Sequence, residues 1–139
     1  MSSLLSKGAP DVAVIHIGSE DIVSSASAAE PLTNEIIGNI KKVIEALRSK
    51  NKNVKIVLAK IIPIRERTDQ VQLLNRKISQ LTSTLSMPLS PVMVADLASG
   101  FKVSENLAGG GILPTPKGAK IMAGVFAGAI NDLLSDKEE

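Results

Sequence analysis

Eight residues near the start of the chain, Asp11-Val-Ala-Val-Ile-His-Ile-Gly18, constrain the fold more than any others. The run is short, rich in β-branched side chains and almost unbroken in its apolar character, with Pro10 and Gly18 at its borders. A strand with one wet face alternates apolar and polar residues. This one does not, so it predicts a strand buried on both faces, as in a parallel sheet covered by helices. Residues 54–62 repeat the pattern up to Pro63, and residues 92–97 supply a third strand after Pro91.

Helical periodicity fills the gaps. Ile36, Ile37, Ile40, Val43, Ile44 and Leu47 recur at helical spacing, with Thr33 or Asn34 as the expected N-cap. Val71, Leu74, Ile78, Leu81 and Leu85 mark a second helix. The last opens at Thr115-Pro116, where Thr suits the N-cap and Pro the first helical position. Its apolar stripe runs through Ile121, Met122, Val125, Phe126, Ala129, Ile130, Leu133 and Leu134. Residues 19–32, 65–69 and 106–111 read as loops, residues 1–9 as an N-terminal segment and residues 135–139 as a solvated tail. Strand and helix alternate three times, which predicts one α/β domain over residues 1–139: a three-layer fold, its parallel sheet of about three strands joined by right-handed crossovers.

Composition narrows the functional classes. With 44% hydrophobic but 1% aromatic residues, and no Trp or Tyr, the core must be aliphatic. The apolar runs are too short to span a bilayer, so no membrane partner is expected. The 16 basic and 14 acidic residues are spread along the chain, and the densest basic stretches, Lys41-Lys42 and residues 50–55, read as a solvated helix face and its turn. No nucleic-acid partner is expected without clustered cations and interleaved aromatics. The absence of Cys excludes thiolate chemistry and Cys-ligated metals. Met1-Ser-Ser-Leu-Leu-Ser-Lys7 has no signal-peptide pattern, so the sequence as it stands reads as cytoplasmic, with a secreted ancestor open and the compartment unassigned.

In parallel α/β sheets ligands bind beyond the C-terminal ends of the strands. Here those ends are Gly18-Ser-Glu-Asp21, residues 62–67 and residues 96–101, with residues 109–114 expected over the same rim. Gly18, Ser19, Glu20, Asp21 and Pro63 are therefore the candidate ligand-binding residues. His16 is the only histidine. It is expected to be a core or rim imidazole, because a strand turns it away from a partner at an odd offset; a dyad with Ser19, oriented by Asp21, is the weaker alternative. Glu20 and Asp21 are expected to be solvated or to cap a helix. A metal would need further ligands, for which only Asp96 offers itself, so neither metal nor cofactor is expected. Asn75 and Asp96 are read as structural, and Gly109-Gly-Gly111 as a hinge rather than a phosphate cradle.

The order of these segments resembles the SGNH (GDSL-type) hydrolases. Pro10-Asp-Val-Ala-Val-Ile-His-Ile-Gly-Ser-Glu-Asp-Ile22 resembles the family's third block, a buried strand ending in Gly-x-Asn-Asp. Ile61-Ile-Pro63, Val94-Ala-Asp-Leu97 and Leu113-Pro-Thr-Pro-Lys-Gly118 also look like family segments, the last resembling His-Pro-x-x-x-Gly. The resemblance covers nearly the whole chain and is nearest to carbohydrate esterase family three, the acetylxylan-esterase type. It implies the SGNH, flavodoxin-like architecture and an ancestral carboxylic-ester hydrolase activity.

The family's catalytic residues do not carry over. Its nucleophilic Ser and the Gly donor belong to blocks that precede the first residues of this sequence. The Asn donor to the oxyanion hole aligns with Glu20, and an ionised Glu only accepts. The orienting Asp and the basic His align with Gly110 and Leu113, neither of which takes a proton. The expectation is a non-catalytic binding or interaction module, with carbohydrate as one ligand class. The alternative is an esterase or deacetylase whose site is rebuilt or completed by a partner; a fragment without any ligand is a third reading. By the family's strand order 2-1-3-4-5, the strand from Val12 to Ile17 is left at a sheet edge that must be covered or paired. Ser2 to Lys7 is short cover, so a homodimer through that edge is expected.

Overall fold

The computed structural model describes residues 8–135. The expected cover from Ser2 to Lys7 and all of the tail after Ser135 lie outside the described residues. Eight elements follow in the order β1 (Val12–Ile15), α1 (Ser19–Ser24), α2 (Ala29–Lys50), β2 (Lys55–Lys60), α3 (Thr68–Leu85), β3 (Val92–Asp96), α4 (Val103–Asn106) and α5 (Pro116–Ser135). The three strands form one parallel sheet in the order β1-β2-β3. Val12 pairs with Lys55 and Ile15 with Leu58 across the first ladder, and Ile56 with Val92 and Lys60 with Asp96 across the second.

The central strand explains why the apolar runs lack alternation. Ile56 and Leu58 enter a core with α2 and α3, while Val57 and Ala59 enter a second core with α5. All four are 1% exposed or less. Leu32, Ile36, Ile40, Ile44 and Leu47 of α2, with Val71, Leu74, Ile78 and Leu81 of α3, complete the first core. The three-layer α/β architecture expected from the alternation of elements is the one observed.

Helix α2 starts at Ala29, not at Thr33 or Asn34. Pro31 is tolerated in a first turn, where amides lack intrahelical partners, and Glu30 there complements the helix dipole. Thr33 is instead inside the helix, its hydroxyl donating to the Glu30 carbonyl at 3.2 Å. The predicted loop after β1 also holds α1, whose Ser-rich sequence lacks a strong apolar stripe. At the start of α5 the expectation holds: the Gly118 amide donates to Thr115 Oγ1 at 3.1 Å.

At the lower end of the sheet, Arg48 ties three elements together. Its guanidinium donates to Ser90 Oγ, the Ser90 carbonyl and the Leu85 carbonyl, and Ser90 Oγ donates to the Val54 carbonyl. Burial lowers the Arg48 pKa.

Candidate functional site

The upper rim begins where β1 ends. Gly18 has φ 121, and a side chain there would place Cβ 2.9 Å from Leu74 Cδ2. Only glycine meets both demands, and the sharp turn it permits starts α1. The Ile22 amide donates to the Gly18 carbonyl at 3.1 Å, and Ile22 is completely buried. This anchor leaves Glu20 and Asp21 exposed in the first turn of α1 and Ser19 half-buried.

Beyond β2, Asn75 holds the chain end. Its Oδ1 accepts from the Ile61 amide at 2.8 Å, and its Nδ2 donates to the Ile61 carbonyl at 3.0 Å. The side chain thus replaces the ladder partners that Ile61 loses when the sheet ends. Beyond β3, Asp96 accepts from the Ser99 hydroxyl at 2.6 Å, from the Ala98 and Ser99 amides at 3.1 Å each, and from Lys60 at 3.5 Å. Desolvation pushes its pKa upward, but the Ser99 hydroxyl, these amides and Lys60 outweigh it and hold the carboxyl below its ordinary value. Asp96 is thus engaged in closing a turn. Among the described residues no group of three or more His, Asp or Glu side chains is arranged to hold a metal ion.

The Gly-rich loop is better fixed than a hinge. Gly111 is buried with φ 78, its amide donates to the Ala108 carbonyl at 2.8 Å, and its carbonyl accepts from the Arg65 amide at 3.0 Å. A Cβ on Gly111 would lie 2.7–2.8 Å from the Arg65 stem. The loops after β2 and before α5 are therefore locked together. Thr115 adds a second clasp, donating from its amide to the Asn106 carbonyl and from its hydroxyl to the Glu105 carbonyl.

Two clefts open on this rim. One, of about 370 Å³, is lined by His16, Ile17, Gly18, Ser19, Glu20 and Asp21. The other, of about 310 Å³, is lined by Val23, Ile64, Arg65, Glu66, Arg67, Gly110 and Ile112. Helix α1 contributes to both. Of the proposed ligand-binding residues, Gly18, Ser19, Glu20 and Asp21 share the first cleft, while Pro63 is half-buried and lines neither. A larger hollow, about 660 Å³ around Met87, Leu89 and Leu133, lies at the opposite end of the sheet and includes none of the rim residues.

The structure does not assemble a dyad from His16. Among the described residues no hydrogen bond joins it to Ser19 or Asp21. Its ring meets Phe126 edge to face, with centroids 5.9 Å apart. Partial desolvation lowers its pKa, although the residue is exposed at the rim. Gly110 lines the second cleft, while Leu113 is 70% exposed. Arg65 and Arg67 were hidden in what reads as a charged loop. The signal that could have found them is their place just after a strand's C-terminal end.

A three-layer fold with a parallel sheet and clefts at its C-terminal rim places the chain among the α/β folds. More narrowly, the fold is that of the SGNH/GDSL hydrolases. The structure is similar to an acetyl esterase mutant solved with an acetate ion (TM-score 0.83, 25% identity, covering 95% of this chain and 62% of that one). It is similar to a carbohydrate esterase of family 3 from Talaromyces cellulolyticus (TM-score 0.79, 26% identity, 91% of this chain and 60% of that one). A GDSL-like lipase from Bacteroides thetaiotaomicron shares the fold (TM-score 0.66, 19% identity, 88% of this chain and 63% of that one). The chain thus spans about three-fifths of the length of these proteins. No protein-family model and no curated protein sequence matches it. The resemblance carried by the four sequence motifs holds at the level of the fold.

Proposed function

We propose that this chain is an SGNH-like binding module that does not hydrolyse esters and that takes a small ligand, with carbohydrate as one class, at the C-terminal rim. One feature supports it: the positions that the motif resemblance matches to the oxyanion donor, the orienting acid and the base hold Glu20, Gly110 and Leu113. Glu20 offers acceptors where a developing oxyanion needs donors. Gly110 and Leu113 have nothing to exchange a proton. Among the described residues His16, the only imidazole of the sequence, has no hydrogen bond to a candidate nucleophile that would stand in. Titrating an acetylated xylo-oligosaccharide while following its NMR signals tests this. The reading expects broadening of the sugar resonances without release of acetate. Acetate release overturns the non-catalytic part, and unbroadened sugar signals overturn the carbohydrate part.

We further propose that a second copy closes the edge of β1, giving a homodimer through Val12 to Ile17. Among the described residues β1 pairs only with β2, and Val14 and Ile17 are 46% and 38% exposed. A two-fold axis normal to the sheet would set β1 antiparallel to its copy and keep both α5 helices on one side. Residues of one face must then oppose each other, which a register with Val14 facing Val14 satisfies. Met122, Val125, Phe126 and Ile130, only partly buried, supply further apolar surface nearby.

A further inference from the structure

We infer that the cleft between the loop after β2 and the Gly-rich loop binds a small aliphatic carboxylate between Arg65 and Arg67. Gly110, matched to the orienting acid, lines the same cleft, but neither arginine occupies a position matched to the hydrolytic machinery, so carboxylate binding there does not require that ester hydrolysis be lost. Both line the 310 Å³ cleft, whose apolar walls are Val23, Ile64 and Ile112. That volume sits at the small end of ligand pockets, and polar and apolar groups share its lining about equally.

The arginines are placed rather than merely present. Arg65 is exposed, but its backbone amide donates a hydrogen bond to the Gly111 carbonyl, and its aliphatic stem lies so close over Gly111 that no Cβ fits beneath it. Arg67 is half-buried at the N-cap of α3, where no side chain caps the helix. Asp69 in the first turn already complements the helix dipole, so what a bound anion would meet here is the Arg67 guanidinium itself. Arg67 spends one donor on the Glu66 carbonyl at 3.2 Å. A guanidinium carries five N–H groups, so donors remain. Glu66 also lines the cleft, yet among the described residues neither arginine forms an ion pair with it or with any other carboxylate.

The walls choose among anions. A planar carboxylate matches the guanidinium fork, and three branched or aliphatic side chains suit a short hydrocarbon tail. An acidic sugar would want an aromatic ring to stack on. The sequence has no Trp or Tyr, and neither Phe lines this cleft.

The experiment is a titration of the whole 15N-labelled chain with butyrate, followed by amide shifts, with acetate, butanol and inorganic phosphate as comparisons. Saturable shifts at residues 64–67 and 110–112 are expected with butyrate, stronger than with acetate and absent with butanol. Arg65→Gln and Arg67→Gln should each weaken binding about tenfold or more while the remaining spectrum stays dispersed. Exposed Arg76→Gln should leave it unchanged. No shifts with butyrate, equal shifts with butanol, phosphate binding as tightly as butyrate, or loss in Arg76→Gln to the same extent would each overturn the inference.

Discussion

The two faces of the sheet differ in how completely they are closed. On the α2/α3 side the described residues include 17 buried hydrophobics in one cluster, against 9 on the α5 side. The 22 residues of α2 bury Leu32, Ile36, Ile40, Ile44 and Leu47, whereas the 20 residues of α5 bury only Gly118, Ala129 and Leu133. Along β1, Ile15 is sealed against the first core while Val14, on the other face, is nearly half exposed. The first core is finished within this chain. Among the described residues the second runs out towards β1, where neither the sheet edge nor the flank of α5 is covered.

Mutations should read that difference directly. Ile40→Ala, in the closed core, is expected to lower stability by about 2–5 kcal/mol, measured by chemical denaturation. Val125→Ala, on the half-exposed flank of α5, should lower it by less than about 1 kcal/mol. Equal losses would erase the contrast. Asn75→Ala leaves the amide and carbonyl of Ile61 without partners in a buried place, for an expected loss of about 1–3 kcal/mol. The open edge makes a different prediction. Val14→Lys should leave stability nearly unchanged yet convert the proposed dimer to a monomer by light scattering at micromolar concentration; a wild-type monomer there would refute the pairing.

The smallest effect is that of pH. The His16 pKa is lowered below its ordinary 6.5 by burial, so protonation favours the unfolded chain. Stability from this group is complete above pH 6.5 and declines as pH falls below it. In His16→Gln that decline should vanish between 6.5 and the folded pKa, leaving the loss at lower pH where Asp96, whose pKa is also lowered, becomes protonated. A melting-temperature series against pH checks both.

Most of the fold was legible because buried parallel strands and amphipathic helices write their environment into residue type. Residues 54–62 lack alternation because both faces of β2 are covered, and Thr115-Pro116 marks the last helix through capping chemistry. Less was legible at the rim. Helix α1 was hidden because Gly18 and the burial of Ile22, not periodicity, hold it. The start of α2 was missed because propensity favoured Thr33 while tertiary packing of Leu32 carried the helix further. Gly111 was read as freedom, yet its positive φ and its contact with Arg65 make it a fixed point. Such pairings between distant loops have no local signature.

The proposed loss of ester hydrolysis on an SGNH-like fold is tested by turnover of p-nitrophenyl acetate by the wild-type chain, beside Ser19→Ala and His16→Ala. The same rate as buffer is expected for all three. Wild-type turnover that disappears in either variant would contradict it.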